Sequence, residues 1–158
     1  MSTDQIRKLI DEYLDLVLRE KDSFEVTERS LVRLLDHLAF AYHAIPDDVA
    51  DDKHYPAPKR PDQKATRETI SKRFPEYGFY NQPDNMTEKI SDTELLVGDA
   101  IDDLVDITQD LSEISWRFKN TSPEDALWHY RLLFDGHWGE HLRYLQLYIL
   151  IRRSESSK

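Results

Sequence analysis

The stretch SDTELLVGDAIDDLVDITQDLSEISWRFK, residues 91–119, decides the fold. Within it Val97, Ala100, Ile101, Leu104, Ile107, Thr108, Leu111, Ile114, Ser115 and Phe118 recur at the three- and four-residue intervals that gather side chains on one face of a helix. Asp92, Asp99, Asp102, Asp103, Asp106, Asp110 and Glu113 share another face, and no Lys or Arg occurs from residue 90 to 116. Ser91 and Glu94 have the spacing of a capping box, so the pattern predicts a helix over about residues 92–119. An acidic face opposite an apolar one is ordinarily solvated, although carboxylates three or four residues apart also suit Mg²⁺.

Outward from this segment the helical period continues. Downstream, Ser122-Pro123-Glu124-Asp125 supplies an N-cap, a proline at the first helical position and acids against the positive end of the helix dipole. Leu127, Tyr130, Phe134, Trp138, Leu142, Leu145 and Ile149 extend that helix to about residue 153, with Gly136 and Gly139 marking a close approach or a break. Upstream, a Ser2/Gln5 capping box opens a helix over about residues 3–21. A second helix over about 27–45 carries Leu31, Leu34, Leu35, Leu38, Tyr42 and Ile45 and stops before Pro46. Four prolines and a run of aspartates make Pro46 to Pro61 a long connection, with Pro56 to Pro61 suited to an extended polyproline strand. A short helix over about 64–73 follows, stopped by Pro75, and Tyr77 to Asn81 reads as an irregular aromatic turn packed on the core. No strand pattern competes. The predicted architecture is all-α: a four-helix bundle with one short accessory helix and a long Pro/Asp-rich connection, forming a single domain over residues 1–158.

Composition narrows the function. Cysteine is absent, which removes disulfides, thiolate nucleophiles and cysteine zinc sites and favours a reducing, cytoplasmic setting. No apolar run approaches the roughly 18 residues of a membrane span, and Met1 to Gln5 lack the pattern of a secretory leader. A net charge of -10 argues against nucleic acid as a partner. The charge is uneven: Lys53, Lys59, Arg60, Lys64, Arg67, Lys72 and Arg73 face only Asp62 and Glu68 between residues 53 and 73, a local +5 against -15 elsewhere. A solvated loop accounts for that, and so does a patch steering an acidic ligand.

His137-Trp138-Gly139-Glu140-His141 is the strongest chemical constellation, because imidazoles four residues apart in a helix can share a metal. The five residues also spell the H-x-x-E-H pattern of inverzincin proteases, but two glycines flanking Trp138 weaken the rigid helix that such ligands require. The pair resembles the last-helix histidines of DinB-type bundles. That resemblance implies a third histidine, for which His43 and His37 are the candidates in helix two. Asp103 and Asp106 resemble half of the acidic pattern of MazG-type all-α pyrophosphatases, with Glu12 and Asp15 as the other half.

Two segments together, Asp102-Asp103-Leu104-Val105-Asp106-Ile107-Thr108-Gln109-Asp110-Leu111 and Trp128-His129-Tyr130-Arg131 through His137-Trp138-Gly139-Glu140-His141-Leu142, resemble a bacterial domain-of-unknown-function family, number five thousand and sixty-three. The resemblance implies an all-helical protein and no particular activity. If the two helices pack side by side, Asp103, Asp106 or Asp110 meets Arg131, His137 or His141 in a buried polar network. The leading expectation is a non-enzymatic module that binds a protein or small ligand. Trp138, Arg131, Tyr77, Tyr80, Asp103, Asp106 and Asp110 are its candidate ligand-binding residues. The competing expectation is a hydrolase-like enzyme dependent on a divalent metal at His137 and His141, sited between the last two long helices.

Overall fold

The computed structural model describes residues 1–19, 22–86 and 90–158. Helix α1 spans Thr3–Leu18 and opens on the Ser2/Gln5 capping box, with both reciprocal hydrogen bonds formed at 2.7 and 3.3 Å. The expected extension to residue 21 runs into residues 20 and 21, which lie outside the described residues. Helix α2, Phe24–Ala44, starts one turn before the expected Thr27, behind Ser23, and ends before Pro46. Residues 45–62 then run without helix or strand. Helix α3, Gln63–Arg73, is capped by Asp62, whose carboxylate accepts the Ala65 N–H at 2.7 Å.

The segment quoted first departs from the expectation. Leu95–Asp99 is a strand, β2, paired antiparallel with β1, Phe79–Pro83, so a small two-stranded sheet accompanies a mostly helical protein. Ser91 adopts a positive φ of 68° instead of capping a helix, and α4 runs Ala100–Asn120 behind Asp99, which accepts the Ile101 N–H at 2.9 Å. Val97, expected on the inward face, is 75% exposed. The physical reason lies in Gly98-Asp99: glycine is a poor helix-interior residue and aspartate a strong N-cap, so the helix begins after them.

The last helical segment is also interrupted. Helix α5, Pro123–Leu133, passes through a π-helical turn, Phe134–Trp138, into α6, Gly139–Ser156. The Gly139 N–H reaches back five residues to the Phe134 carbonyl, and a Cβ on Gly139 would stand 2.4 Å from that oxygen. Glycine is therefore required there, whereas a Cβ on Gly136 meets nothing within 4 Å. The three successive four-residue steps Tyr130, Phe134, Trp138, Leu142 would drift about 120° around an ideal helix. One additional residue in a wide turn takes up roughly 100° of it, and Tyr130, Trp138 and Leu142 all end fully buried.

Helix α4 contacts α1, α3, α5 and α6, while α2 contacts α1 and α6. Leu104, Ile107, Leu111 and Ile114 of α4 are wholly buried in one apolar cluster that draws on every helix. Among the described residues no helix is long and apolar enough to cross a membrane.

Candidate metal centre

Packing α4 against the π-turn and α6 turns its acidic face inward. Asp110 is completely buried and Asp103 is 4% exposed, so the solvated acidic face expected from the pattern is, at these two positions, the floor of a polar site. Buried carboxylates are costly unless each oxygen finds a donor, and here each does. Asp110 receives His137 Nδ1 on one oxygen at 2.7 Å and the Arg60 guanidinium on the other at 2.9 Å. Asp103 receives His141 Nδ1 at 2.8 Å and the Tyr80 hydroxyl at 2.6 Å.

These contacts assign the imidazole protons. A carboxylate only accepts, so each Nδ1 carries a hydrogen, and in a neutral ring Nε2 is left with its lone pair outward. His141 Nε2 lies 3.3 Å from Asp106 Oδ2, the two rings stand 5.0 Å apart between centroids, and one donor atom from each of Asp106, His137 and His141 falls within 4.8 Å of the others. His137 is exposed and the other two residues are half-buried, so the cluster opens to solvent on one side. The hydrogen bond to Asp103 raises the His141 pKa above its usual 6.5, with the charges of Asp106, Asp103 and Glu140 adding to it and burial opposing it. Burial pushes the Asp106 carboxyl above its ordinary range, against the pull of the two histidines. A carboxylate facing imidazole lone pairs is electrostatically unfavourable until a proton or a cation comes between them.

Other expected residues lie elsewhere. Trp138 is fully buried, edge-on to Tyr130 and Phe134 at 5.0 and 4.8 Å, and packs the core behind the histidines. Tyr77 is buried against Phe24, Phe74 and Tyr148. Arg131 does not join the network; it donates to the Ile45 carbonyl at 2.9 Å, pairs with Asp47 at 2.6 Å and lies over the Tyr42 ring, tying α5 to the end of α2. His37 and His43 are exposed on α2 and outside the cluster. Glu12 and Asp15 pair with Lys8 and with Arg19, the C-cap of α1, so the second half of the pyrophosphatase pattern is not assembled with Asp103 and Asp106.

Arg60 is the site residue that the sequence reading passed over. Its signal was the charge imbalance: a helix without Lys or Arg from residue 90 to 116 must take its cations from elsewhere, and the basic 53–73 segment supplies them. Arg60 reaches Asp110 and Glu113, and Arg67 reaches Asp99 and Asp102, so at these two residues the segment docks on α4.

A separate cavity of about 580 Å³ opens between residues 50–57 and α5, lined among others by Asp51, Tyr55, Arg117, Asp125, Trp128 and His129. Its two carboxylates are internally paired: Ser122 and Tyr55 donate to Asp51, and Arg117 donates to Asp125.

The arrangement defines a mostly helical protein in which two oriented histidines and a carboxylate from a neighbouring helix face a common opening. The family described as Domain of unknown function (DUF5063) matches residues 2–146, and the chain belongs to that family. No curated protein and no solved structure matches the chain.

Proposed function

We propose that the chain is a metal-binding protein in which His137, His141 and Asp106 hold one divalent transition-metal ion, with coordination positions left open for water or a small ligand. The observation that carries this reading is the separate buried aspartate behind each histidine, Asp110 at 2.7 Å and Asp103 at 2.8 Å. Carboxylate–histidine pairs of this kind fix the tautomer and raise the basicity of metal-binding imidazoles. Two imidazoles and one carboxylate suit Zn²⁺ in an open site or Fe²⁺ in a facial arrangement. Drawing donor atoms onto such an ion takes a small rotation of side chains, of which His137 is the exposed one. A cation there lowers the pKa of a bound water and polarises a bound oxygen, which is the basis of a hydrolase-like activity.

The contacts running α1 to α2, α2 to α6, α6 to α4 and α4 to α1 support a four-helix bundle organised as one domain over residues 1–158. The lack of cysteine goes with a cytoplasmic setting, and the acidic charge with a small ligand or protein in preference to nucleic acid. One observation favours the second reading, a non-catalytic interaction module: Phe79, Leu95 and Val97 share the outer face of the hairpin and are 73, 72 and 75% exposed.

Elemental analysis and Zn²⁺ titration separate the two. The metal reading expects one ion per chain. It also expects a melting temperature that rises with Zn²⁺, since a ligand at one hundred times its Kd stabilises by about 2.7 kcal/mol. His141→Ala and Asp106→Ala should abolish binding, while His37→Ala and His43→Ala keep it. Protein that gains no stability from excess Zn²⁺, Mn²⁺ or Ni²⁺ would leave the interaction module as the standing interpretation.

A further inference from the structure

The β1–β2 hairpin is weakly supported by itself. A lone pair of five-residue strands is marginal in water, and its outer face carries exposed apolar side chains instead of a packed layer. What fastens it is the inner face. Tyr80 lies among the rings of Tyr144 and Tyr148 at 6.4 and 5.4 Å between centroids, and its hydroxyl donates to Asp103 at 2.6 Å. Its cross-strand neighbour is Gly98, where a Cβ would come within 2.4 Å of the Tyr80 ring. The strand opposite therefore has to lack a side chain for the ring to lie across it. The Tyr148 hydroxyl accepts the Gly78 N–H at 2.9 Å, and the Ala100 N–H reaches the Gly78 carbonyl at 3.1 Å, so the hairpin base is tied to both α6 and the start of α4.

Asp103 has its two oxygens divided between Tyr80 and His141. A carboxylate held at only one oxygen can swing about its last bond; held at both, it presents Oδ1 to His141 Nδ1 in one orientation, which in turn aims Nε2 at Asp106. We propose that Tyr80 is a positioning residue for the metal centre, and that through it hairpin order and metal occupancy are thermodynamically linked. The proposal rests on the metal-binding reading and adds to it a residue that never touches the ion. Linkage is reciprocal: if the hairpin strengthens metal binding, the metal steadies the hairpin by the same factor.

Tyr80→Phe removes the hydroxyl and keeps the ring. The expected result is a loss in Zn²⁺ affinity of about tenfold, the lower end of the range for partners outside the ligand set. A shift in the visible absorption of the Co²⁺-loaded protein should accompany it, which a change in stability alone does not produce. Tyr144→Phe, altering a ring that packs on Tyr80, should leave both unchanged. Gly98→Ala, which displaces the ring and leaves the hydroxyl on it, should reproduce the Tyr80→Phe loss. Hydrogen exchange completes the test: excess Zn²⁺ should slow the amides of residues 79–82 and 95–99 in the native protein and not in Tyr80→Phe. Native protein that binds Zn²⁺, with a Tyr80→Phe variant of equal affinity and identical Co²⁺ spectrum, overturns the positioning role and leaves the metal centre standing. Native protein that binds no Zn²⁺ overturns the metal reading from which both descend.

Discussion

Helix α4 meets two polar clusters made from similar parts, and they end differently. Near its C-terminus Arg117 is 5% exposed and directs Nε and one terminal nitrogen to Glu113, at 3.1 and 2.8 Å, and the other to Asp125 at 3.0 Å. Thr121 adds a hydroxyl to Asp125 at 2.7 Å. His129 sets its Nδ1 3.2 Å from the other Asp125 oxygen, but among the described residues no group of three metal-ligating side chains forms here, and in that sense the cluster is closed. Two and four turns before Arg117, Asp110 and Asp103 are also buried and satisfied, yet the histidines that satisfy them have a second nitrogen each: that of His141 lies 3.3 Å from Asp106, and a donor atom of His137 falls within 4.8 Å of both. Burial and charge do not distinguish the clusters. What does is whether lone pairs are left over and whether they converge.

Breaking the closed cluster should give the largest effect. Arg117→Met leaves Asp125 without its guanidinium and Glu113 with Arg60 alone, and removing one partner of a buried ion pair costs about 3–5 kcal/mol. Urea denaturation should register that loss equally with and without Zn²⁺; a loss seen only in the presence of metal would mean that the two clusters are one. Gly139→Ala comes next. The added methyl group meets the Phe134 carbonyl, and overpacking of this kind costs about 1–3 kcal/mol, read as a lower melting temperature. Because the π-turn carries His137, Zn²⁺ affinity should fall as well, which no substitution in the closed cluster should cause.

A pH series separates the clusters by a third measurement. The raised pKa of His141 means that its ion pairs stabilise the metal-free protein fully below 6.5, and that this contribution is lost as pH climbs through the raised value. Zn²⁺ needs the unprotonated nitrogens, so its affinity should rise by at least about tenfold per pH unit below that value and flatten above it. A flat affinity from pH about 5.5 to 8 would mean that no histidine proton is displaced on binding. The smallest effect belongs to Arg67, a rim residue paired with Asp99 and Asp102 at 2.6 and 2.9 Å. Exposed pairs contribute at most about 1 kcal/mol, so Arg67→Ala should shift the melting temperature slightly and leave Zn²⁺ affinity unchanged.

Much of this was legible from local pattern. The Ser2/Gln5 and Ser122-Pro123 starts, the buried stripe of α4 and the pairing of His137 with His141 one turn apart all depend on residues within a few positions of each other. The hairpin was not legible. Leu95, Leu96 and Val97 suit a strand as well as a helix, and the choice depends on pairing with Phe79–Pro83 across an intervening loop. Gly98-Asp99 was the local clue that the helix starts late. In the last segment the clue was the triple four-residue spacing, which an ideal helix cannot keep on one face.

The sequence by itself determined which faces of the helices are apolar, because that is a matter of period along one chain. It also placed the acids on one helix and the histidines on another. Only the tertiary structure decided that Asp110 stands behind His137 and Asp103 behind His141, that Arg60 and Tyr80 hold the outer oxygens, and that Arg131 turns away. A hydrogen bond is sensitive to tenths of an ångström and to angle, and those are set by how two helices register against each other, a property carried by neither helix alone.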